Sequence, residues 1–278
     1  MAPTAGNQLH NQSSKMSGRT PKQKATEKTH THRLILAQFP LWILPVLLVM
    51  QTGVLCRWSD AEYLVFSLGV AAPSVLLPYF LISPPRSTAS SLPYWLKLHV
   101  WVAVLVCFGT YFGTHYFFDL MGMRYAFASA TWHLESDVVG RSGQVVPLFM
   151  YPLTHAYFMS YFVFLVVAER RLRSLSGSDR VGRGLLVVAL AYGVAFAETY
   201  VMASPLLEDL FRYDDRERML RVGSLGYASY FVVGLPMVKR IDRAGEEWGI
   251  GRVVIEALAT CMGILVLLEV WAKVVGPL

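Results

Sequence analysis

The sequence has little charge, and this shortage excludes most soluble folds. Charged residues make up 16% of the 278 residues, whereas a soluble domain carries about 25%. Hydrophobic residues make up 54% of the chain, and many of them are gathered in long apolar runs. The composition therefore indicates a polytopic membrane protein rather than a chain folded around a soluble core.

Cysteine is also scarce, which argues against a disulfide-stabilised protein. The chain has 3 cysteines, Cys56, Cys107 and Cys261, and their spacing fits no metal site. Cys107 and Cys261 lie within apolar runs, where a free thiol behaves as a small hydrophobic side chain. We therefore expect no disulfide framework.

The sequence lacks the motifs of several large enzyme classes. It has no Walker loop, no dinucleotide-binding glycine motif and no nucleophile elbow of the serine hydrolases. Its histidines do not form the closely spaced sets that hold the two irons of membrane desaturases. We therefore predict no cofactor and no metal site. Cofactor-free acid–base chemistry in an apolar cavity and simple lipid binding remain possible.

Apolar runs of the length that crosses a bilayer, about 20 residues, recur along the chain. They predict an all-α fold, a polytopic transmembrane bundle of about seven helices, with one domain over residues 34–278. The first two runs contain prolines, which membrane helices tolerate when neighbouring groups bind the freed carbonyls. The predicted spans are 34–55, 60–82, 94–118, 147–168, 184–204, 220–238 and 252–275.

The net charge of +6 carries topology information and does not indicate a nucleic-acid partner. Residues 1–33 are polar and contain one acid, Glu27. We predict that they form a disordered basic cytosolic arm, and a plastid or mitochondrial transit peptide is the alternative. Of the 25 basic residues, 17 fall on the side of the membrane that holds this arm. Because basic residues concentrate on the cytosolic side, we expect a cytosolic N-terminus and a C-terminus on the other face.

Glu198 and His155 are ionisable residues inside apolar runs. A charge at bilayer depth costs about 3 kcal/mol, and neither residue has a neutralising partner three or four positions away on its own helix. At 1.5 Å per residue, His155 is expected about 12 Å and Glu198 about 9 Å below the lumenal face. Either the two form a buried interhelical pair without chemistry, or they act on a ligand.

Other polar groups are predicted in the same half of the membrane. Tyr227 is expected at a similar depth, and His115 nearer the lumenal face, with Tyr111 and Asp119 on the same side of its helix. Residues 119–146 form a long loop with several aromatic side chains. We expect a plain surface loop, and a lid over the site is the alternative.

Two acids within apolar runs have partners on their own helices. Glu256 lies four residues after Arg252, and Glu269 lies four residues before Lys273. Opposite charges at this spacing are neighbours on a helix. We predict structural ion pairs for both.

Many of these polar groups belong to a recognisable pattern. Residues 109–118, Gly-Thr-Tyr-Phe-Gly-Thr-His-Tyr-Phe-Phe, resemble the GNYFWTHYFF signature of the cycloeucalenol cycloisomerase family. The resemblance continues in order over roughly residues 35–275 and leaves out the N-terminal arm. The other similar runs are 153–155, 170–173, 197–199, 221–223, 227–236 and 247–248, followed by Arg252.

The resemblance implies an isomerase of sterol biosynthesis in the endoplasmic reticulum membrane. Members of the family open the 9β,19-cyclopropane ring of cycloeucalenol, a 4α-methyl sterol, and form the Δ8 sterol obtusifoliol without oxidation or reduction. The reaction needs a proton donor, a proton acceptor and a dry site that stabilises a carbocation-like state. The implied partners are the sterol substrate and membrane lipid, and the oligomeric state stays open.

Residue roles follow from the reaction that the resemblance implies. Because burial disfavours the ionised form of a carboxyl group, Glu198 is the predicted acid. His155, or His115 with Asp119, is predicted to accept or relay the second proton, and the roles of donor and acceptor are exchangeable at this stage. Side chains predicted to orient the sterol or stabilise its positive charge are Tyr111, Tyr116 and Tyr227.

Two other functions remain open. A non-catalytic sterol-binding or sterol-transport protein would need a similar apolar cavity, although transporters more often show repeats or matched broken helices. A sterol double-bond isomerase would use similar cationic chemistry. Conversion of a cyclopropyl sterol separates the three functions.

Overall fold

A computed structural model describes residues 21–82, 92–134, 136–176, 179–243 and 246–278. Six helices of this described part are long and apolar enough to cross a membrane, so the prediction of an all-α, multi-pass bundle is confirmed. The α-helices are α1 (Pro21–Ala37), α2 (Phe39–Thr52), α3 (Asp60–Ile82), α4 (Tyr94–Phe108), α5 (Thr114–Met121), α6 (Met150–Leu172), α7 (Arg180–Met202), α8 (Arg216–Arg218), α9 (Ser224–Tyr227), α10 (Ser229–Val238) and α11 (Ile250–Val274).

The first helix begins earlier than the apolar pattern predicts. Residues 21–33 lie in α1, so the prediction of a disordered arm is wrong for them. Docking against the start of α4 stabilises this polar helix, because Glu27 Oε1 accepts a hydrogen bond from the backbone N–H of Tyr94 at 2.7 Å. The rest of the predicted arm, residues 1–20, lies outside the described residues.

The third predicted span is a helix with one widened turn. The turn Gly109–Gly113 is π-helical and joins α4 to α5, and together they form a segment, Tyr94–Met121, that is long and apolar enough to cross a membrane. A Cβ atom on Gly113 would collide with the hydroxyl oxygen of Tyr230. Glycine at this turn therefore lets the two segments approach closely.

The sixth predicted span, residues 220–238, is an interrupted helix. A π-helical turn, Met219–Gly223, follows α8, and the α-helix stops after Tyr227 and resumes at Ser229. No single piece reaches the length that a membrane crossing needs. The described part therefore has six long helices and this segment, Arg216–Val238, which we call the interrupted helix.

The core lies where α4 and α6 meet α10 and α11. Trp101, Phe162 and Phe231 are completely buried there. The ring of Phe162 lies 5.1 Å from that of Trp101 and 5.7 Å from that of Phe231, measured between centroids. Because lipid is as apolar as this core, van der Waals contacts between the rings hold the helices together.

Two loops pair at one end of the bundle. Strand β1 (Met123–Tyr125) is antiparallel to strand β2 (Phe211–Tyr213), and an ion pair between Arg124 and Asp214 joins their flanks. We call this end of the bundle the sheet end. At the opposite end of the bundle α6 ends and α7 begins.

Ion pairs gather at the opposite end. Lys97 and Asp242 are almost fully buried and lie 2.8 Å apart. Glu256 lies 3.7 Å from Arg252, as predicted, and 3.0 Å from Arg240. These pairs link α4 and α11 to the loop that follows α10.

Candidate active site

A cavity of about 440 Å³ lies between α2, α6, α7 and the interrupted helix. Small-molecule sites usually have volumes of about 300–1,000 Å³. Phe164, Ala197 and Val201 line the cavity and are also exposed on the outside of the bundle. The cavity therefore reaches the lateral surface of the bundle and suits an apolar molecule that arrives from the bilayer.

One face of α6 forms the long wall of the cavity. The lining positions recur every three or four residues, which places them on one side of the helix. Between Met150 and Phe164 this wall extends about 21 Å, at 1.5 Å per residue. The lining residues of α6 are Met150, Leu153, Thr154, Tyr157, Phe158, Tyr161 and Phe164.

Glu198 and Tyr227 meet in this cavity, as their predicted depths suggested. The hydroxyl of Tyr227 donates a hydrogen bond to Glu198 Oε2, and α7 packs against α9 to hold the pair. Glu198 Oε1 has no hydrogen-bond partner among the described residues. The carboxyl group can therefore give a proton to a ligand, or take one, while Tyr227 holds it in place.

Glu198 is the only carboxyl group among the described lining residues, which include no histidine, lysine, arginine or cysteine. In the described ranges, no group of three histidine, cysteine or acidic side chains lies close enough together to hold a metal ion. The groups in the lining that can transfer a proton are therefore this carboxyl group and the hydroxyl groups.

Aromatic rings cluster around Tyr227, the hydrogen-bond partner of this carboxyl group. The ring of Tyr227 lies 5.1 Å from that of Phe117, 5.9 Å from that of Tyr230 and 5.5 Å from that of Phe231. On the opposite wall, Tyr157 lies 6.0 Å from Trp42. Faces of such rings attract positive charge, so the cavity can stabilise a carbocation.

The two-stranded sheet covers one end of the cavity. Tyr125 of β1 and Tyr213 of β2 line it together with Phe127. Burial raises the pKa of both tyrosine hydroxyls, because the phenolate form loses its hydration. Both therefore remain hydrogen-bond donors at neutral pH. The first part of the loop 119–146, residues 123–127, therefore covers the cavity as a lid would, which was the alternative to the plain surface loop that we expected.

His155 is bonded away from the cavity. His99 Nε2 lies 2.8 Å from the carbonyl oxygen of Ser74, so this nitrogen donates. His99 Nδ1 then accepts from His155 Nε2, 3.0 Å away. In a regular helix the Ser74 carbonyl would accept from the N–H of residue 78, but Pro78 has no N–H. The ring of His99 satisfies this carbonyl instead. His155 is not among the residues that line the cavity, and the structure does not bring it to Glu198.

His115 and Asp119 border a separate pocket. His115 is 4% exposed, and neither ring nitrogen has a hydrogen-bond partner among the described residues. Asp119 accepts hydrogen bonds from the backbone N–H groups of Arg141 and Ser142, each at 2.8 Å. Its carboxylate therefore organises the loop beside His115, and neither residue lines the cavity of Glu198.

The two remaining predicted tyrosines also lie outside this cavity. Tyr116 donates a hydrogen bond to Glu269 Oε1 at 2.7 Å, and the ring of Tyr111 packs on Phe112 with 4.7 Å between centroids. The predicted ion pair of Glu269 with Lys273 is wrong for the described residues, since the Tyr116 hydroxyl on a neighbouring helix is the partner.

Several lining residues were not predicted from the sequence. Thr154 and Tyr157 of α6 lie in a stripe of polar and aromatic residues at helical spacing, and this stripe is a usable signal. Tyr213 carries no such signal, because its place depends on the pairing of two strands that are far apart in the sequence.

A comparison with curated proteins bears on the family resemblance. The chain is 32% identical over 247 residues to the cycloeucalenol cycloisomerase of Arabidopsis thaliana, and the alignment covers 86% of this chain and 83% of that protein. No family model matches the chain, and no solved structure matches it significantly. With this identity over most of both sequences, the chain belongs to the cycloeucalenol cycloisomerase family.

Proposed function

We propose that the protein is a sterol isomerase of the endoplasmic reticulum membrane that opens the 9β,19-cyclopropane ring of cycloeucalenol and releases obtusifoliol. Membership of the family supports the reaction class. The observation that carries the proposal is a single carboxyl group, Glu198, hydrogen-bonded to Tyr227 in an apolar, aromatic cavity.

The reaction moves one proton in and one proton out. The cyclopropane methylene accepts a proton as its bond to the ring-fusion carbon breaks, and the methylene becomes a methyl group. Positive charge develops at the ring-fusion carbon. The neighbouring carbon then loses its proton, and the electrons of that bond form the Δ8 double bond. The product has the same composition as the substrate, so no oxidant or reductant takes part.

In our proposal Glu198 serves as both acid and base. It donates its proton to the methylene, and the carboxylate that remains is held by the hydroxyl of Tyr227. His155 and His115 are absent from the cavity lining, so they do not reach the substrate in this scheme. The carboxylate therefore takes the proton that leaves the neighbouring carbon, and the acid is regenerated.

The aromatic wall supplies the third requirement of the reaction. A cation held over an aromatic face gains about 0.5–2 kcal/mol, with the larger values in dry sites. Phe117 and Tyr230 pack against the ring of Tyr227, which holds the carboxyl group. The lining is mostly apolar, and a dry site protects a cation from capture as an alcohol.

Conversion of substrate in membranes tests this function. Microsomes from a sterol auxotroph that expresses the chain are supplied with cycloeucalenol in heavy water, and sterols are analysed by mass spectrometry. We expect obtusifoliol, and the fraction that carries one deuterium in the new methyl group measures how far the proton of Glu198 exchanges with the solvent between turnovers. Microsomes without the chain are the control. Absence of conversion, with binding of the sterol retained, would contradict the enzymatic proposal and favour the sterol-binding function.

A double-bond isomerase is the other enzymatic candidate. It would leave the cyclopropane ring intact and move an existing ring double bond. The same microsomes supplied with a Δ8 sterol distinguish it, because a shifted double bond without ring opening would replace our proposal.

A further inference from the structure

The polar groups of the cavity are concentrated towards the sheet end. On the α6 wall, the residues with hydroxyl groups are Thr154, Tyr157 and Tyr161, and the wall ends at Phe164, ten residues beyond Thr154. This separation is about 15 Å at 1.5 Å per residue. Phe39 and Trp42 also line the cavity. The cavity is therefore asymmetric, and an elongated ligand with one polar end can bind in a single direction.

Thr154 and Tyr157 form a hydroxyl pair that retains hydrogen-bonding capacity. Thr154 Oγ1 lies 2.9 Å from Tyr157 Oη. Their mutual bond uses one of the two hydroxyl protons, so one donor and several lone pairs remain. Neither has a further partner among the described residues. In contrast, the hydroxyls of Thr114 and Thr199, which also line the cavity, donate to backbone carbonyls.

Glu198 lies at the same level of the bundle as this hydroxyl pair. Thr154 lies 18 residues before the last residue of α6, and Glu198 lies 18 residues after the first residue of α7. These two helices follow each other in the chain and pack against each other, so they are antiparallel neighbours. Because helical side chains lean towards the N-terminus of their helix, the Thr154 and Tyr157 hydroxyls lean towards the sheet end, and the Glu198 carboxyl group leans away from it.

We propose that Thr154 and Tyr157 bind the 3-hydroxyl group of the sterol, an assignment that rests on the proposed function. The ring that carries this hydroxyl then lies next to the sheet, and the reacting rings lie at Glu198. The hydrocarbon side chain extends along α6 towards Phe164, which is 48% exposed and marks the lateral opening. Thr154 and Tyr157 are positioning residues, since they contact the substrate away from the reacting carbons.

The test compares two substrates in two variants of the full chain. The double variant Thr154→Val with Tyr157→Phe removes both hydroxyls and keeps the shape of both side chains. With cycloeucalenol, we expect kcat/KM to fall about 3- to 30-fold, as the loss of one or two neutral hydrogen bonds does, mainly through KM. With the 3-deoxy analogue of the same sterol, the double variant and the wild type should react equally well.

A matched control removes a tyrosine hydroxyl outside the cavity. Tyr200 of α7 is 58% exposed, and Tyr200→Phe should leave both substrates unaffected. An equal loss for both substrates in the double variant would overturn the assignment, because it would reveal a structural or catalytic role. If the wild-type chain converts neither sterol, the proposed function itself fails, and this outcome is distinct from failure of the hydroxyl assignment.

Discussion

At the residue scale, the proposed reaction depends on which ionisable groups reach the cavity. The sequence identifies Glu198 and Tyr227 because an acid in an apolar helix without a local partner needs one elsewhere, and the two do meet. The same reasoning selected His155, whose partner His99 lies 56 residues away in the chain. In both cases the partner lies on another helix and cannot be deduced from spacing along one helix, so the sequence does not show which of the two groups reaches the cavity.

Removal of the acid should abolish turnover without unfolding the protein. Glu198→Gln keeps the size of the side chain and can still accept the hydrogen bond from Tyr227, but it has no transferable proton. Acid–base groups contribute about 100- to 10,000-fold to rate, so we expect kcat for cycloeucalenol to fall at least 100-fold. Glu208→Gln in an exposed loop is the control. Full turnover by Glu198→Gln would contradict the assignment of the acid.

Replacement of His155 should affect stability more than catalysis. His155→Leu leaves His99 Nδ1 buried without a donor, and an unsatisfied buried polar group costs about 1–3 kcal/mol. We expect a lower midpoint of thermal unfolding in detergent and an almost unchanged kcat per folded molecule. His30→Leu, at an exposed position of α1, should change neither. A collapse of kcat with normal stability would return His155 to a catalytic role.

At the scale of secondary-structure elements, apolar length predicts the long helices well and their interruptions badly. Six of the seven predicted spans correspond to the six long helices, and the largest difference is the early start of the first one. The π-helical turns Gly109–Gly113 and Met219–Gly223 have no hydrophobic signature. They result from tertiary contacts, such as the approach of Tyr230 to Gly113, and a composition window does not detect such contacts.

At Gly113, one substitution should lower the stability of the protein and a second substitution should restore it. Gly113→Ala places a methyl group against the hydroxyl oxygen of Tyr230, and overpacking of this kind costs about 1–3 kcal/mol. Removing that oxygen in Tyr230→Phe leaves the nearest ring carbon at 3.4 Å, an ordinary contact. The double variant should therefore recover most of the stability lost by Gly113→Ala, as measured by denaturant unfolding in detergent. Equal instability of the single and double variants would contradict this packing argument.

At the scale of the whole molecule, the distribution of basic residues and the packing of the ends lead to the same topology. Lys24 of α1 lies 2.8 Å from Glu247 in the loop before α11. The backbone N–H of Leu278 donates to the carbonyl of Leu120, at the far end of α5, at 2.8 Å. Helix α1 and the last residue therefore lie at opposite ends of the bundle. This arrangement requires the interrupted helix to cross the membrane like the six long ones.

Tags at the two ends of the chain test this topology in sealed microsomes. With a cytosolic N-terminus, as the excess of basic residues on that side predicts, added protease should remove an N-terminal tag and spare a C-terminal one. A glycosylation acceptor should be modified after Leu278 and not before Met1. If the interrupted helix did not cross, both tags would be cleaved, because the number of crossings would be even. Detergent-opened microsomes, in which both tags must be lost, are the control.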